Sequence, residues 1–202
     1  MCRGSVKRRV VVFDFDGTLT NKDTLFEFIR YAKGKRALLC GIIRNAPFIT
    51  AYLLKVYPNY KAKQRLFSYF FKGMSYDEFR LLGSNFAKEI DQFVNQPQMM
   101  VLKKHLQDGD AVYVISASIT EWVRPWCFAQ GITNVLGTDI ELTDDKILTG
   151  NFRTRNCYGQ EKVNRLLEIE SDRSSYWLIA YGDSRGDLEM LNYADEGHLI
   201  TK

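Results

Sequence analysis

Four consecutive apolar residues, Val10-Val11-Val12-Phe13, run straight into Asp14-Phe15-Asp16-Gly17. A run this short, β-branched and without alternation reads as a strand buried on both faces, over residues 10–15. Such strands belong to parallel sheets covered by helices. Two carboxylates cannot enter that core unpaired, so they stand where the strand leaves the sheet. Alternation points Asp14 and Asp16 to one side of the pleat, and Gly17 lets the chain turn sharply after them. Because of the same acids, no secretory leader is expected here. Lys7-Arg8-Arg9 precede the run as a leader would require, but the apolar stretch ends after four residues where about 7–15 are needed. A cytoplasmic location is expected.

The rest of the chain supplies the other layers. Residues 22–33 space Leu25, Phe26, Phe28 and Ile29 at helical intervals, with Asn21 or Asp23 as N-cap and Gly34 as stop. Residues 35–57 predict a second apolar helical stretch, broken near Asn45-Ala46-Pro47. Residues 59–72 predict a third helix. Ser75-Tyr76-Asp77-Glu78 is a capping box opening a fourth, expected to run to about Val94. Beyond Pro97 the pattern alternates. Helices are expected at 98–107, 119–130 and 159–170 and after Gly182; strands at 111–116, 177–181 and 198–201. A hairpin is expected around Thr143-Asp144-Asp145-Lys146. Strand-helix alternation of this kind means an α/β protein with a doubly wound parallel sheet. The long helical stretch between the first two strands far exceeds a crossover and reads as an inserted all-α unit. The expected division is an α/β core of residues 1–20 and 95–202 and a helical domain of residues 21–94.

Composition narrows the class. The chain has 202 residues, 46% hydrophobic and 26% charged, enough apolar material for a real core and far from disorder or a disulfide miniprotein. Cys2, Cys40, Cys127 and Cys157 are far apart, with no zinc-ligand spacing, which suits a reducing compartment. The net charge of +4 hides a split. Through Met74 there are 15 Lys and Arg against 4 Asp and Glu; the remainder carries 13 against 20.

In a doubly wound sheet, ligands sit beyond the carboxyl ends of the strands. Asp14, Asp16, the strand-end Ser116, Lys162 at a helix start, and Asp183 with Asp187 in Gly182-Asp183-Ser184-Arg185-Gly186-Asp187 all map there. Gathered carboxylates repel unless a cation neutralises them, and an all-oxygen donor set suits Mg²⁺. One carboxylate can then attack phosphorus, and one two residues on can act as general acid and then base. Ser116 and Lys162 can hold phosphate oxygens.

DFDGTLT, Ser116, Gln160-Glu161-Lys162-Val163 and GDSRGD resemble the four motifs of the haloacid dehalogenase-like (HAD) phosphatases. The resemblance implies a HAD-like Rossmannoid core with Asp14 as nucleophile and Asp16 as acid/base. It further implies Mg²⁺ held by Asp14, Asp16 (through its backbone carbonyl), Asp183 and Asp187, and phosphate held by Ser116, Ala117 and Lys162. The insert takes the family's helical cap position, in the manner of the phosphoserine phosphatase-like subgroup. Asp23 falls where those enzymes carry a substrate-reading Glu. Ser116-Ala117-Ser118-Ile119 stands where they usually show S-G-G-F, which widens the expected substrate beyond phosphoserine.

Residues 37–57 are long enough to span a bilayer, for which about 20 residues suffice. Arg44, Asn45, Pro47 and Lys55 interrupt them, and Arg near a span centre costs about 2.5–3.5 kcal/mol. A core-packed cap helix pair is therefore expected. The alternative is a surface for a membrane or a lipid phosphate of the phosphatidylglycerophosphate type, as acted on by some relatives with hydrophobic caps. Lys55, Lys61, Lys63, Arg65 and Lys72, interleaved with Tyr60, Phe67, Tyr69, Phe70 and Phe71, suit anionic headgroups. Nucleic acid is not expected, because a lid over a phosphate site needs positive charge anyway. Trp122 and Trp126 read as core, His105 and His198 as structural, and Arg153 and Arg155 as a solvated strand face. The expected activity is phosphomonoester hydrolysis through an aspartyl-phosphate. A phospho-accepting receiver domain is the competitor from another class, disfavoured because its acceptor ends a later strand and it has no cap.

Overall fold

The computed structural model describes residues 7–54 and 56–201; Cys2 and Lys55 lie outside them. Strand β1 (Arg8–Phe13) is the middle of a five-stranded sheet. Its neighbours are β2 (Ala111–Ile119) and β6 (Tyr176–Gly182), flanked by β3 (Asn134–Thr138) and β7 (Glu196–Leu199). Every pairing in this sheet is parallel. Val10, Val11, Val12 and Phe13 are all fully buried, Val11 and Phe13 in one apolar layer and Val10 and Val12 in the other. That is the two-faced burial implied by an unalternating run.

Helices α5 (Gln96–Gln107), α6 (Thr120–Ala129), α7 (Gln160–Ile169) and the short α8 (Leu188–Tyr193) belong to the sheet unit. Between β1 and α5 lie α1 (Thr24–Lys33), α2 (Lys35–Leu53), α3 (Asn59–Phe71) and α4 (Tyr76–Ala87), the expected all-α insert. Its two connections to the sheet unit run side by side. Asn21 N–H donates to the Phe93 carbonyl at 2.8 Å and Asn95 N–H to the Leu19 carbonyl at 2.8 Å. The hairpin of β4 (Ile140–Leu142) and β5 (Leu148–Phe152) turns at the expected residues. It grips the α3–α4 junction through Gly73 N–H to the Leu148 carbonyl and Leu148 N–H to the Met74 carbonyl, both 2.9 Å.

Phe28, Phe67, Phe71, Phe79, Phe86 and Phe93 form the insert's interior. The core-packed pair expected over residues 37–57 is not what folds. Helix α2 buries only Gly41 and Asn45 and leaves Leu39, Ile43 and Leu53 exposed, with Leu54 exposed just past its end, because its one packed face is turned to α3. Phe28 is ringed by Phe71, Phe79 and Phe86 and stacks on Trp122 at 4.4 Å between centroids, tying the cap to α6. Trp126 is likewise buried.

Two helices of the insert depart from expectation. Helix α2 passes unbroken through Pro47. Pro47 removes one backbone hydrogen bond, but α2 is held along its length by α3: Gly41 lies against the Phe70 ring, and the Arg65 guanidinium sits 3.6 Å over Phe48. The helix opened by Ser75 ends at Ala87 rather than near Val94. A separate 3-10 turn at Ile90–Phe93 then buries Ile90 and Phe93, which an uninterrupted helix would not do while delivering Asn95 to Leu19. Among the described residues no helix is long and apolar enough to cross a membrane.

Candidate active site

Past Phe13 the chain leaves the sheet, and Asp14 N–H donates to the Tyr181 carbonyl of β6 at 2.9 Å. This ties the β1 end to the strand that carries Asp183. Gly17 then takes φ +89°, and a β-carbon there would fall 2.1 Å from Asp183 Oδ2. Glycine is therefore required twice, for its backbone angle and for the approach of Asp183.

Asp14, Asp183 and Asp187 each offer a carboxylate oxygen, all within 4.8 Å of one another. Lys162 is buried in the first turn of α7, where a helix N-terminus disfavours a cation. What holds it there is two ion pairs, to Asp14 Oδ1 and, at 2.5 Å, to Asp187 Oδ1. Burial alone would lower the Lys162 pKa, but Asp14 and Asp187 outweigh it and the group stays charged. Burial pushes the Asp14 carboxyl up to about 7; Lys162 opposes that rise and Asp187 adds to it.

Asp187 is also a capping residue. Ser184 N–H and Oγ–H donate to its Oδ2 at 2.9 and 2.7 Å, closing a capping box. Its two oxygens thus have distinct partners, the 3-10 turn on one side and Lys162 on the other.

Asp16 points towards the cap. Its Oδ1 accepts from Thr24 N–H at 3.0 Å and Thr24 Oγ1–H at 2.7 Å, and its Oδ2 accepts from Ser118 Oγ–H. Trp122 Nε1–H donates to Thr24 Oγ1 at 3.0 Å. Burial, then the charge of Asp23, raises Asp16 to about 6, against the pull of Lys63 and these hydroxyl donors. Sequence reasoning missed this ring of partners. Thr24 read as an ordinary first helical residue, Trp122 as core, and Ser118 only as a departure from a motif.

Strand β2 runs to Ile119, beyond the expected end at Ser116, because its register with β3 shifts between Ile115 and Ile119. Such irregularities re-aim side chains. Here Ser116 and Ala117 line the cavity that holds Asp14, while Ser118 N–H donates to Ser116 Oγ at 3.0 Å.

The cavity measures about 450 Å³. Its floor is Asp14, Asp16, Ser116, Lys162, Asp183 and Asp187; its cap wall is Leu25, Phe26, Ile49, Tyr52, Ala62 and Leu66. Among the described residues Asp23 and Lys63 are the charged cap residues lining it, 3.9 Å apart, and Asp23 also caps α1 by accepting from Leu25 N–H. Tyr158 and Arg185, not expected from sequence, complete the rim. Arg153 pairs with Asp139 on the exposed hairpin, away from this cavity. His105 bridges Asp110 and the Tyr181 hydroxyl, and His198 stacks on Tyr181, both structural as expected.

A family model for haloacid dehalogenase-like hydrolases matches residues 11–192. The chain belongs to that family. Protein CicA of Caulobacter vibrioides is 31% identical over 93% of this chain and 83% of its own length. A histidinol-phosphatase of Neisseria meningitidis serogroup C is 28% identical over 94% of this chain and 88% of its own. A structure of phosphoserine phosphatase as a phospho-aspartyl intermediate analogue superposes with a TM-score of 0.66 at 18% identity, covering 93% of this chain and 84% of that one. The enzyme therefore has the phosphoserine phosphatase-like architecture, a parallel Rossmannoid sheet with a helical cap.

Proposed function

We propose that this haloacid dehalogenase-like enzyme is a Mg²⁺-dependent phosphomonoester hydrolase that works through an aspartyl-phosphate on Asp14. The observation that carries the reading is the convergence of three carboxylates and a buried lysine at one end of the cavity, with a separately held carboxyl, Asp16, beside them. The donor set is hard oxygen throughout, which fits Mg²⁺; Asp14, Asp183 and Asp187 would hold it, with the backbone carbonyl of Asp16. When bound, the ion screens the repulsion between Asp14 and an anionic phosphoryl group.

Asp14 attacks phosphorus, and the bond to the leaving oxygen breaks as Asp16 supplies that oxygen's proton. Asp16, now a carboxylate, takes a proton from water as that water attacks phosphorus and releases Asp14. Lys162 and Ser116 meet the phosphoryl oxygens, where charge must be stabilised. Asp23 and Lys63 face the leaving group. Hydrolase family membership leaves the receiver reading without support.

The test is hydrolysis of 4-nitrophenyl phosphate. Activity should require Mg²⁺ and vanish in Asp14→Asn; full activity in that variant, or in excess chelator, sinks the assignment. A second reading, a lipid phosphate met at a membrane surface, is favoured by one observation. The cavity's cap wall is largely apolar, and Leu53, Leu54 and Val56 are exposed just beyond Tyr52, which lines it. A panel of phosphoserine, histidinol phosphate and phosphatidylglycerophosphate, with liposome flotation alongside, separates the two readings. Good turnover of soluble substrates without vesicle binding ends the lipid one.

A further inference from the structure

The hydrogens around Asp16 can be assigned one by one. The Trp122 indole nitrogen can only donate, so Thr24 Oγ1 accepts from it at 3.0 Å and turns its own proton to Asp16 Oδ1 at 2.7 Å. Thr24 N–H donates to the same oxygen at 3.0 Å. Oδ1 therefore has two donors aimed at it, and a third hydrogen has no room there. A proton carried by Asp16 must sit on Oδ2. The side chain on that oxygen is Ser118, which is buried and also lies 3.1 Å from Thr24 Oγ1. Ser118 reaches this place because β2 continues past Ser116 with a shifted register. Thr24 opens the first cap helix and Ser118 is the penultimate residue of β2, so the two oxygens of Asp16 are held from opposite domains.

From this arrangement we infer that Ser118 is a positioning residue for proton transfer: its hydroxyl holds Asp16 Oδ2 towards the leaving oxygen. The inference rests on the phosphomonoesterase reading, with Asp16 as its acid/base. In the first half-reaction the proton leaves Oδ2 for the departing oxygen as the P–O bond breaks, and Ser118 Oγ–H donates to the oxyanion left behind. In the second half-reaction Oδ2 regains a proton from the attacking water as the bond between phosphorus and Asp14 breaks. Ser118 gains and loses no covalent bond. Its contribution is the orientation of one oxygen, and orientation matters only where a proton must move.

That dependence supplies the test. Wild type and Ser118→Ala are compared on a series of phosphomonoesters running from 4-nitrophenyl phosphate, whose leaving group departs without a proton, to simple alkyl phosphates, whose leaving group needs one. The quantity read is kcat/KM at saturating Mg²⁺. The variant should lose no more than about threefold on 4-nitrophenyl phosphate and at least about tenfold on alkyl phosphates, within the range general acid catalysis supplies. Ser118→Thr, which keeps the hydroxyl, should restore the wild-type slope against leaving-group pKa. An equal loss across the series, or none anywhere, overturns the inference, and if Ser118→Thr does not fold the Ser118→Ala slope still decides. Failure of the wild type to hydrolyse any member would instead overturn the phosphomonoesterase reading itself.

Discussion

Replacing Lys162 by methionine keeps roughly the length of the side chain and removes its charge. In the native protein Lys162 is 2% exposed and neutralises Asp14 and Asp187, which are 6% and 1% exposed. Breaking a buried pair by removing one partner costs about 3–5 kcal/mol, because the other charge stays buried without compensation. For a chain of 202 residues, an unfolding entropy of about 2.1 cal/mol/K per residue gives roughly 0.4 kcal/mol/K, so the metal-free variant should melt about 7–12 °C below wild type. Mg²⁺ reverses part of this. A ligand at a hundred times its Kd returns about 2.7 kcal/mol, some 6 °C here. In Lys162→Met the ion no longer shares Asp14 and Asp187 with an ammonium, so the rise on adding Mg²⁺ should exceed that of wild type. Scanning calorimetry of both proteins, with chelator and with saturating Mg²⁺, reads all four numbers. A variant that melts within 2 °C of wild type, or equal Mg²⁺ shifts in the two proteins, would refute the placement of Lys162 as counter-charge to a metal-binding carboxylate cluster.

Two further outcomes follow from single residues. Gly17→Ala forces a side chain into φ +89° and sets a β-carbon 2.1 Å from Asp183 Oδ2. The backbone term is about 1–2 kcal/mol, and the displaced Asp183 should raise the Mg²⁺ concentration for half-maximal activity at least about tenfold, read by metal titration; an unchanged midpoint shows that Asp183 is not a ligand. Asp195 is exposed; partial desolvation would raise its carboxyl, but Leu178 N–H and Arg173, each at 2.7 Å, hold it below the ordinary range. A depressed acid contributes stability above its unfolded pKa of about 3.9 and loses it as pH falls through the lower folded value. The melting-temperature gap between wild type and Asp195→Asn should thus hold from pH 7 to about 4 and close below; a gap that widens in acid contradicts the assignment.

The charge asymmetry of the chain acquires a location in the fold. From Lys33 to Lys72 no acidic residue occurs, and this stretch covers all of α2 and α3. Yet among the described residues few of those cations face the cavity: Lys63 lines it, whereas Arg44 and Arg65 lie on the exposed side of the α2–α3 pair. A basic lid was legible from composition, but the share of its charge that meets a substrate was not, because helical phase and packing decide it.

The residues that carry the proposed chemistry were readable in order along the chain, since a buried parallel strand can tolerate carboxylates only where it ends. Asp14, Asp16, Lys162, Asp183 and Asp187 stand just past strand ends or at helix starts, and local rules suffice to place them. Ser116 lies inside β2, where the register shift with β3 rather than a strand end brings it to the cavity. The strand alternation, the N-cap at Ser75, whose hydroxyl accepts from Glu78 N–H at 3.3 Å, and the hairpin turn at 143–146 were local for the same reason. What folding alone decided is how distant segments meet. The unbroken α2 and the early end of α4 depend on contacts with α3 and with the Leu19–Asn21 linker, which outweigh the local penalty of Pro47 and the local continuity of a helical pattern. The grip on Asp16 joins Thr24, Ser118 and Trp122, up to 98 residues apart in sequence. No spacing rule connects such residues: hydroxyl and indole hydrogen bonds act over about 3 Å, a range that only the packed chain brings into being.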